Sequence, residues 1–64
     1  MPLSERELEG VRLVARGHTN AEICGALFLS LGTVKSHLGS AQTKLRLTNR
    51  VQLAAWAWEH QQVR

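Results

Sequence analysis

The stretch Ser30–Ser40, SLGTVKSHLGS, decides the fold because it starts a helix whose two sides differ sharply. Serine often caps helix N-termini, and a helix beginning after Ser30 gathers the apolar residues of this region in one sector. That sector contains Val34, Leu38, Ala41 and Leu45, and the opposite side contains Gly32, Ser36, Gly39 and Thr43, flanked by Lys35 and Ser40. Each glycine costs about 1 kcal/mol relative to alanine in a helix interior. We therefore expect the bare side to serve a partner that approaches closely.

The length and composition of the chain restrict its class. Its 64 residues suffice for one small domain, residues 1–64. No stretch resembles a membrane span or a signal peptide, so a cytoplasmic location is expected. Cys24 is the only cysteine, and burial in a helix is its expected role. With three scattered histidines, no carboxylate pair and no phosphate-binding loop, we expect neither an enzyme nor a metal or cofactor site.

Positive charge is concentrated in the second half of the chain. No acidic residue occurs between Ile23 and Trp58, and the formal net charge of the whole chain is +3. The basic residues of this acid-free region are Lys35, Lys44, Arg46 and Arg50. Such a one-sided distribution suits phosphate or another polyanion, although a net charge of this size also occurs simply as an aid to solubility.

Capping signals divide the chain into four helices. The N-terminal signals are the capping boxes Ser4–Glu7 and Thr19–Glu22, the cap Ser30, and Thr48 or Asn49 before the last helix. The predicted helices are 5–16, 20–27, 31–46 and 50–61, and Gly10 within the first predicts a close neighbour. A two-turn helix between two closely spaced caps is typical of a helix-turn-helix. We predict an all-α, compact four-helix domain. The second helix of a helix-turn-helix is called the recognition helix, and here it is the third helix of the domain.

The apolar residues predict which sides of the helices pack together. In the second helix, Ile23, Ala26 and Leu27 should face inward. The fourth helix has two apolar sides, one formed by Val51, Ala54, Ala55 and Trp58 and the other by Leu53, Trp56 and Ala57. We expect the first of these sides to pack on the core, because its spacing is that of a helical stripe. The second side is then left without a partner in so small a domain.

A bare helix face without acidic residues fits the major groove of DNA, because bulky side chains would hold the helix away from the base edges. Lys35 could then reach guanine O6 or N7, while Ser36 and Thr43 could donate to a base or a phosphate. The same face would also suit a helix that is solvated or packed against another protein. A solvated helix, however, favours alanine, glutamate, lysine and glutamine over two glycines.

The chain resembles the LuxR-type, or NarL/FixJ-type, helix-turn-helix domain at the C-terminus of many bacterial transcription regulators, including response regulators. Four segments carry the resemblance in the order and spacing of that family: LSERELEGVRLVARG, HTNAEICGALFLS, GTVKSHL with KL behind it, and NRVQLAAWA. The resemblance implies sequence-specific binding of double-stranded DNA, with the third helix in the major groove. RNA polymerase is a further candidate partner.

The resemblance also implies roles for individual residues. The positions that contact bases are Lys35, Ser36 and Gly39, and those that contact the DNA backbone are Asn20, Thr33, His37, Thr43, Lys44 and Arg50. His37 is expected to be mainly structural, because it flanks the apolar sector. Gly39 departs from the larger, often polar residue of many relatives, so direct base readout is expected to be sparse.

Relatives of the LuxR type pair through the last helix on DNA, which predicts a homodimer whose interface is Leu53, Trp56 and Ala57. Its two recognition helices would enter successive major grooves about 10 base pairs apart. Two alternatives are weaker, the first because the run NRVQLAAWAWEHQQ continues past the third helix as in the LuxR type, whereas sigma-factor region 4 usually ends near its recognition helix. The run GTVKSHLGSAQTKLR also resembles the promoter-binding helix of sigma-factor region 4, and a protein interaction module could use Trp56 and Trp58 as an exposed anchor.

Overall fold

The computed structural model describes residues 2–63 and contains four α-helices. They are α1 (Glu5–Ala15), α2 (Asn20–Leu27), α3 (Leu31–Leu45) and α4 (Arg50–Glu59). The all-α prediction is confirmed, and the predicted bounds agree apart from one or two residues at the C-terminal ends of α1, α3 and α4. Within residues 2–63, no helix is both long and apolar enough to cross a bilayer.

Side chains cap the N-terminus of each helix as the sequence predicts. At α1, Ser4 Oγ accepts from Glu7 N at 3.2 Å and Glu7 Oε1 accepts from Ser4 N at 2.8 Å, which completes a capping box. The same reciprocal pair joins Thr19 and Glu22 at α2, and it lowers the pKa of the Glu22 carboxyl. The caps of α3 and α4 are Ser30 and Asn49. These local bonds satisfy backbone donors that a helix cannot pair internally.

Residues with positive φ occur at the C-terminal ends of α2 and α3 and in the turn after α1. Gly17 has φ of 88°, a conformation that glycine adopts without steric cost. The C-caps of α2 and α3 are Phe28 and Arg46, with φ of 56° and 57°. A left-handed conformation at such residues is uncommon. The turn between α2 and α3 is consequently short and sharp, as a helix-turn-helix requires.

The core forms where α1 crosses α3 and α4. Its buried apolar residues are Leu3, Val11, Val14, Ile23, Val34, Leu38, Ala41, Leu53, Ala57 and Val63. Gly10 lies at the crossing of α1 and α3, where a Cβ atom would come within 3.2 Å of Leu38 Cδ2. The predicted close neighbour of Gly10 is thus confirmed. The missing side chain lets the two helices approach.

The orientation of α4 corrects the sequence prediction. Leu53 is 1% exposed and Ala57 is fully buried, whereas Val51 and Trp58 are 76% and 57% exposed. The side predicted to form a dimer therefore packs against α1. The expected dimer interface of Leu53, Trp56 and Ala57 is wrong for Leu53 and Ala57, because both are buried in the core. Trp56 is partly buried against the same core. The physical reason is that both sides of α4 are apolar, so periodicity does not distinguish them.

A smaller correction concerns α2. Ala26 was expected to face inward with Ile23 and Leu27, but it is exposed. Ile23 is fully buried, and Cys24 and Leu27 pack against the core on either side of it. In a helix of two turns, these three residues already fill the sector that faces α1 and α3.

Candidate nucleic-acid interface

The outer face of α3, formed by Gly32, Lys35, Ser36, Gly39 and Thr43, is exposed as predicted. A Cβ atom added at Gly32 or at Gly39 would meet nothing within 4 Å, and neither glycine has a positive φ. Neither the backbone nor the packing of the domain therefore requires these glycines. The space that they leave is accessible only from outside the domain.

Lys35 supplies the one positive charge at the centre of this face. Its side chain is exposed, and within residues 2–63 no hydrogen bond or ion pair engages its ammonium group. The α3 helix itself contains no acidic residue. A lysine on such a surface can donate to an external acceptor without first breaking an internal contact.

The hydroxyl groups on α3 differ in their availability. Thr43 Oγ1 donates to the Gly39 carbonyl at 3.1 Å, so its hydrogen is engaged within the helix. Thr33 Oγ1 lies 2.9 Å from Ser30 Oγ, the cap of α3. Ser36 is exposed on the outer face, one residue after Lys35. Of the hydroxyl groups predicted to contact DNA, that of Ser36 is the one best placed to donate outward.

Lys44 joins the last turn of α3 to the first turn of α1. Its Nζ atom donates to Glu7 Oε1 at 2.8 Å. Glu7 is only 4% exposed, while the Lys44 side chain is 42% exposed. Hydrogen bonds from Lys44, from the Ser40 hydroxyl and from the Ser4 amide hold the pKa of the Glu7 carboxyl at about 2, against an ordinary 4.5. Glu7 therefore stays ionised and keeps the Lys44 ammonium at this edge of α3.

Arg50 brings the N-termini of α2 and α4 together. Its guanidinium donates to Asn20 Oδ1 at 2.6 Å and to the His18 carbonyl at 2.5 Å. Two residues predicted to contact the DNA backbone, Asn20 and Arg50, thus form one cluster although 30 positions separate them. The exposed guanidinium and the positive ends of two helix dipoles make this region favourable for an anion.

His37 and Thr33 lie at the border between the core and the surface of α3. Both are half-buried, whereas Lys35 and Ser36 beside them are exposed. The mainly structural role of His37 stays a prediction.

Three features of this surface were not predicted from the sequence. The Glu7–Lys44 ion pair joins residues 37 positions apart, so no local pattern reveals it. The exposed stripe of α4 consists of Val51, Ala55 and Trp58. Phe28 and Leu31 are also exposed, at the entrance to α3. For Phe28, the signal in the sequence was an aromatic residue in the tight turn, two positions before the helix cap Ser30.

The geometry defines a class of protein. The helices α2 and α3, joined by the short turn of residues 28–30, form a helix-turn-helix, and the outer face of α3 is bare and free of acidic residues. In DNA-binding proteins of this class, the second helix of the motif enters the major groove. Residues 1–57 match the family model for bacterial regulatory proteins of the luxR family. The chain belongs to this family, and it is a DNA-binding domain of the kind found in transcription regulators.

Similar proteins include the response regulator protein VraR of Staphylococcus aureus (strain NCTC 8325), of Staphylococcus saprophyticus and of Staphylococcus epidermidis. Each is 38% identical over 58 residues, which is 91% of this chain and 28% of the relative. The chain thus spans little more than a quarter of the length of these curated relatives. The family match favours the LuxR-type interpretation over sigma-factor region 4.

Proposed function

We propose that the domain binds double-stranded DNA sequence-specifically as the output domain of a bacterial transcription regulator, with α3 in the major groove. The observation that carries this proposal is the outer face of α3. Gly32 and Gly39 lower helix propensity there, and no contact inside the domain requires them. Both glycines are explained if the backbone of α3 must lie close to the floor of a DNA groove. The lack of acidic residues on α3 avoids repulsion by phosphates.

Within this proposal, Lys35 reads a base. Its free ammonium reaches guanine O6 or N7, the commonest specific contact of basic side chains in the major groove. Ser36 donates to a neighbouring base, and Gly39 contributes by letting the helix axis approach. The remaining specificity then comes from contacts at the edges of α3 and from DNA shape.

The proposed backbone contacts come from two separate clusters of side chains. The cluster of Arg50 and Asn20 meets one phosphate, because it combines a guanidinium with two helix N-termini. Lys44 meets another phosphate, and Glu7 fixes the orientation of the Lys44 ammonium and partly neutralises its charge. Thr33 and His37 contribute contacts at the border of the face, and Thr43 contributes one only if its hydroxyl leaves the Gly39 carbonyl.

The dimer proposal moves to the exposed stripe of α4. Val51, Ala55 and Trp58 follow each other at intervals of about one turn on the outside of α4. The small Ala55 between two larger residues permits close helix approach. The Trp58 indole is held in place by a 3.3 Å hydrogen bond from Nε1 to the Ala15 carbonyl. We propose that two copies meet along this stripe on DNA, with recognition helices about 10 base pairs apart.

Gly39→Leu tests the placement of α3, and Gly25→Leu is its matched control. Both glycines lie in helices, and neither has a neighbour within 4 Å of an added Cβ. Both variants should therefore resist urea better than the wild type, because leucine favours a helix more than glycine does. Only Gly39→Leu should weaken DNA binding, by at least about tenfold, since displacement of α3 forfeits base contacts worth about 1–3 kcal/mol each. Equal DNA affinity of the two variants would contradict the placement.

Lys35→Ala should weaken binding to the preferred sequence more than binding to random DNA. Loss of a bidentate guanine contact costs about 1–3 kcal/mol on the preferred site. Because Lys35 makes no hydrogen bond or ion pair within residues 2–63, the folded variant should be about as stable as the wild type. Competition binding with both duplexes measures the difference. An equal loss on both duplexes would show that Lys35 contacts only phosphate.

A further inference from the structure

Two large apolar side chains lie exposed where the turn between α2 and α3 ends. Phe28 is 92% exposed and Leu31 is 48% exposed. They stand on either side of Ser30, the cap of α3. We refer to Phe28 and Leu31 as the apolar edge. It is separate in sequence from the exposed stripe of α4.

The backbone at Phe28 gives no internal reason for an aromatic residue. Its φ and ψ of 56° and 44° are left-handed, a region that disfavours residues with a Cβ atom. The hydrogen bonds of this turn, from the amides of Phe28 and Leu29 to the Cys24 carbonyl, need only the backbone shape. Glycine or asparagine would supply that shape at lower cost. Because the ring is nearly fully exposed, the benefit that offsets this cost lies outside the domain.

Leu31 borders the outer face of α3 directly. It is the first residue of α3 and precedes Lys35 by one turn, so both side chains project from the same side of the helix. The next residue, Gly32, has open space where a side chain would stand. No side chain therefore separates Leu31 from a partner that contacts Lys35.

We infer that the apolar edge contacts the 5-methyl groups of thymines next to the guanine bound by Lys35, so that Phe28 and Leu31 determine part of the DNA specificity. This inference rests on the proposed position of α3 in the major groove. The thymine methyl is the apolar group that the major groove presents, and apolar side chains, including phenylalanine, recognise it. Thymine next to guanine thus matches an apolar edge next to a lysine.

The sparse polar content of α3 supports the same partner. Lys35 is the only long polar side chain on the outer face, and no acidic residue occurs between residues 23 and 58 to repel phosphates near the edge. Hydrogen bonds from this face can therefore specify few bases. Apolar contacts at its border add discrimination without adding side chains that would hold the helix away.

The test removes single methyl groups from DNA. The wild-type domain first selects a duplex from a random library, and each thymine of that duplex is then replaced in turn by deoxyuridine, which pairs identically but lacks the methyl. We expect one or two replacements beside the guanine that depends on Lys35 to weaken binding about fourfold, the change that follows from about 0.8 kcal/mol per buried methyl-sized group. Insensitivity of the wild type to every replacement would overturn the inference.

Two variants assign the effect to the apolar edge. Leu31→Ala and Phe28→Asn should each bind the thymine duplex more weakly than the wild type does. In each variant, one of the deoxyuridine replacements that weaken wild-type binding should no longer matter, whereas Gly25→Leu should respond to the replacements as the wild type does. Phe28→Asn should also raise the urea midpoint, because asparagine tolerates the left-handed conformation better, so its weaker binding cannot reflect unfolding. Full methyl sensitivity in both variants would contradict the inference while leaving the proposed function intact. Failure to select any duplex would instead refute the proposed function and the inference with it.

Discussion

Replacing Leu53 with glutamate is expected to unfold the domain. Leu53 is 1% exposed and belongs to the core between α1 and α4. The substitution removes a buried leucine, which costs about 2–5 kcal/mol, and it adds the cost of burying a carboxylate without a partner. A domain of this size has a total stability of only about 3–5 kcal/mol. Circular dichroism should show the loss of helix at 25 °C.

Val51→Glu is the matched control on the other side of the same helix. Val51 is 76% exposed, so the variant should remain folded with a melting temperature close to that of the wild type. If the exposed stripe of α4 forms the dimer, Val51→Glu should also lose cooperativity on a duplex with two half-sites while binding one half-site normally. A folded Leu53→Glu domain together with an unfolded Val51→Glu domain would contradict the orientation of α4.

Acid should destabilise the domain chiefly through Glu7. Its pKa is about 2 in the folded domain, below the ordinary 4.5 of the unfolded chain. The stabilisation is therefore complete above pH 4.5 and is lost as the pH falls from about 4.5 to about 2. A pKa shift of one unit corresponds to about 1.4 kcal/mol, so this shift would contribute about 3 kcal/mol to the free energy of unfolding.

Solvent reduces the stabilisation that Glu7 provides. The Lys44 side chain is 42% exposed and the domain measures only 19 Å along its shortest axis, so water lies close to the ion pair. We accordingly expect Glu7 to contribute about 2 kcal/mol at pH 7.

Urea unfolding at several pH values tests the contribution of Glu7. Glu7→Gln should be less stable than the wild type at pH 7, and the difference should shrink by about 2 kcal/mol near pH 2. Lys44→Met should reduce the same pH dependence, because the hydrogen bond from Lys44 is the largest of the causes that lower the pKa of Glu7. A constant difference between the wild type and Glu7→Gln from pH 7 to pH 2 would show that the ion pair does not stabilise the fold.

The helices were predictable because their signals are local. The reciprocal bonds of Ser4 with Glu7 and of Thr19 with Glu22 span three residues each, and they mark helix starts that no tertiary contact needs to define. The exposed side of α3 was predictable for the same reason, since Val34 and Leu38 provide one clear apolar sector.

Features that depend on distant parts of the chain were not predictable. Both sides of α4 are apolar, so packing against α1 decides that Leu53 is buried and Val51 is exposed. The partners of Lys44 and Arg50 lie 37 and 30 positions away. Sequence reasoning identified both basic residues as candidate phosphate contacts, but their internal hydrogen bonds follow only from the way in which the four helices pack together.

The central claim, that DNA binds along the outer face of α3, is tested most directly by nuclear magnetic resonance. A nitrogen-15-labelled domain is titrated with an unlabelled duplex that the wild-type domain has selected from a random library. The largest amide shift changes are expected within residues 32–44 and at Asn20 and Arg50, and small changes are expected on α1. Unchanged amides along α3, with the largest changes on the exposed stripe of α4, would contradict the account and indicate that α4 carries the binding surface.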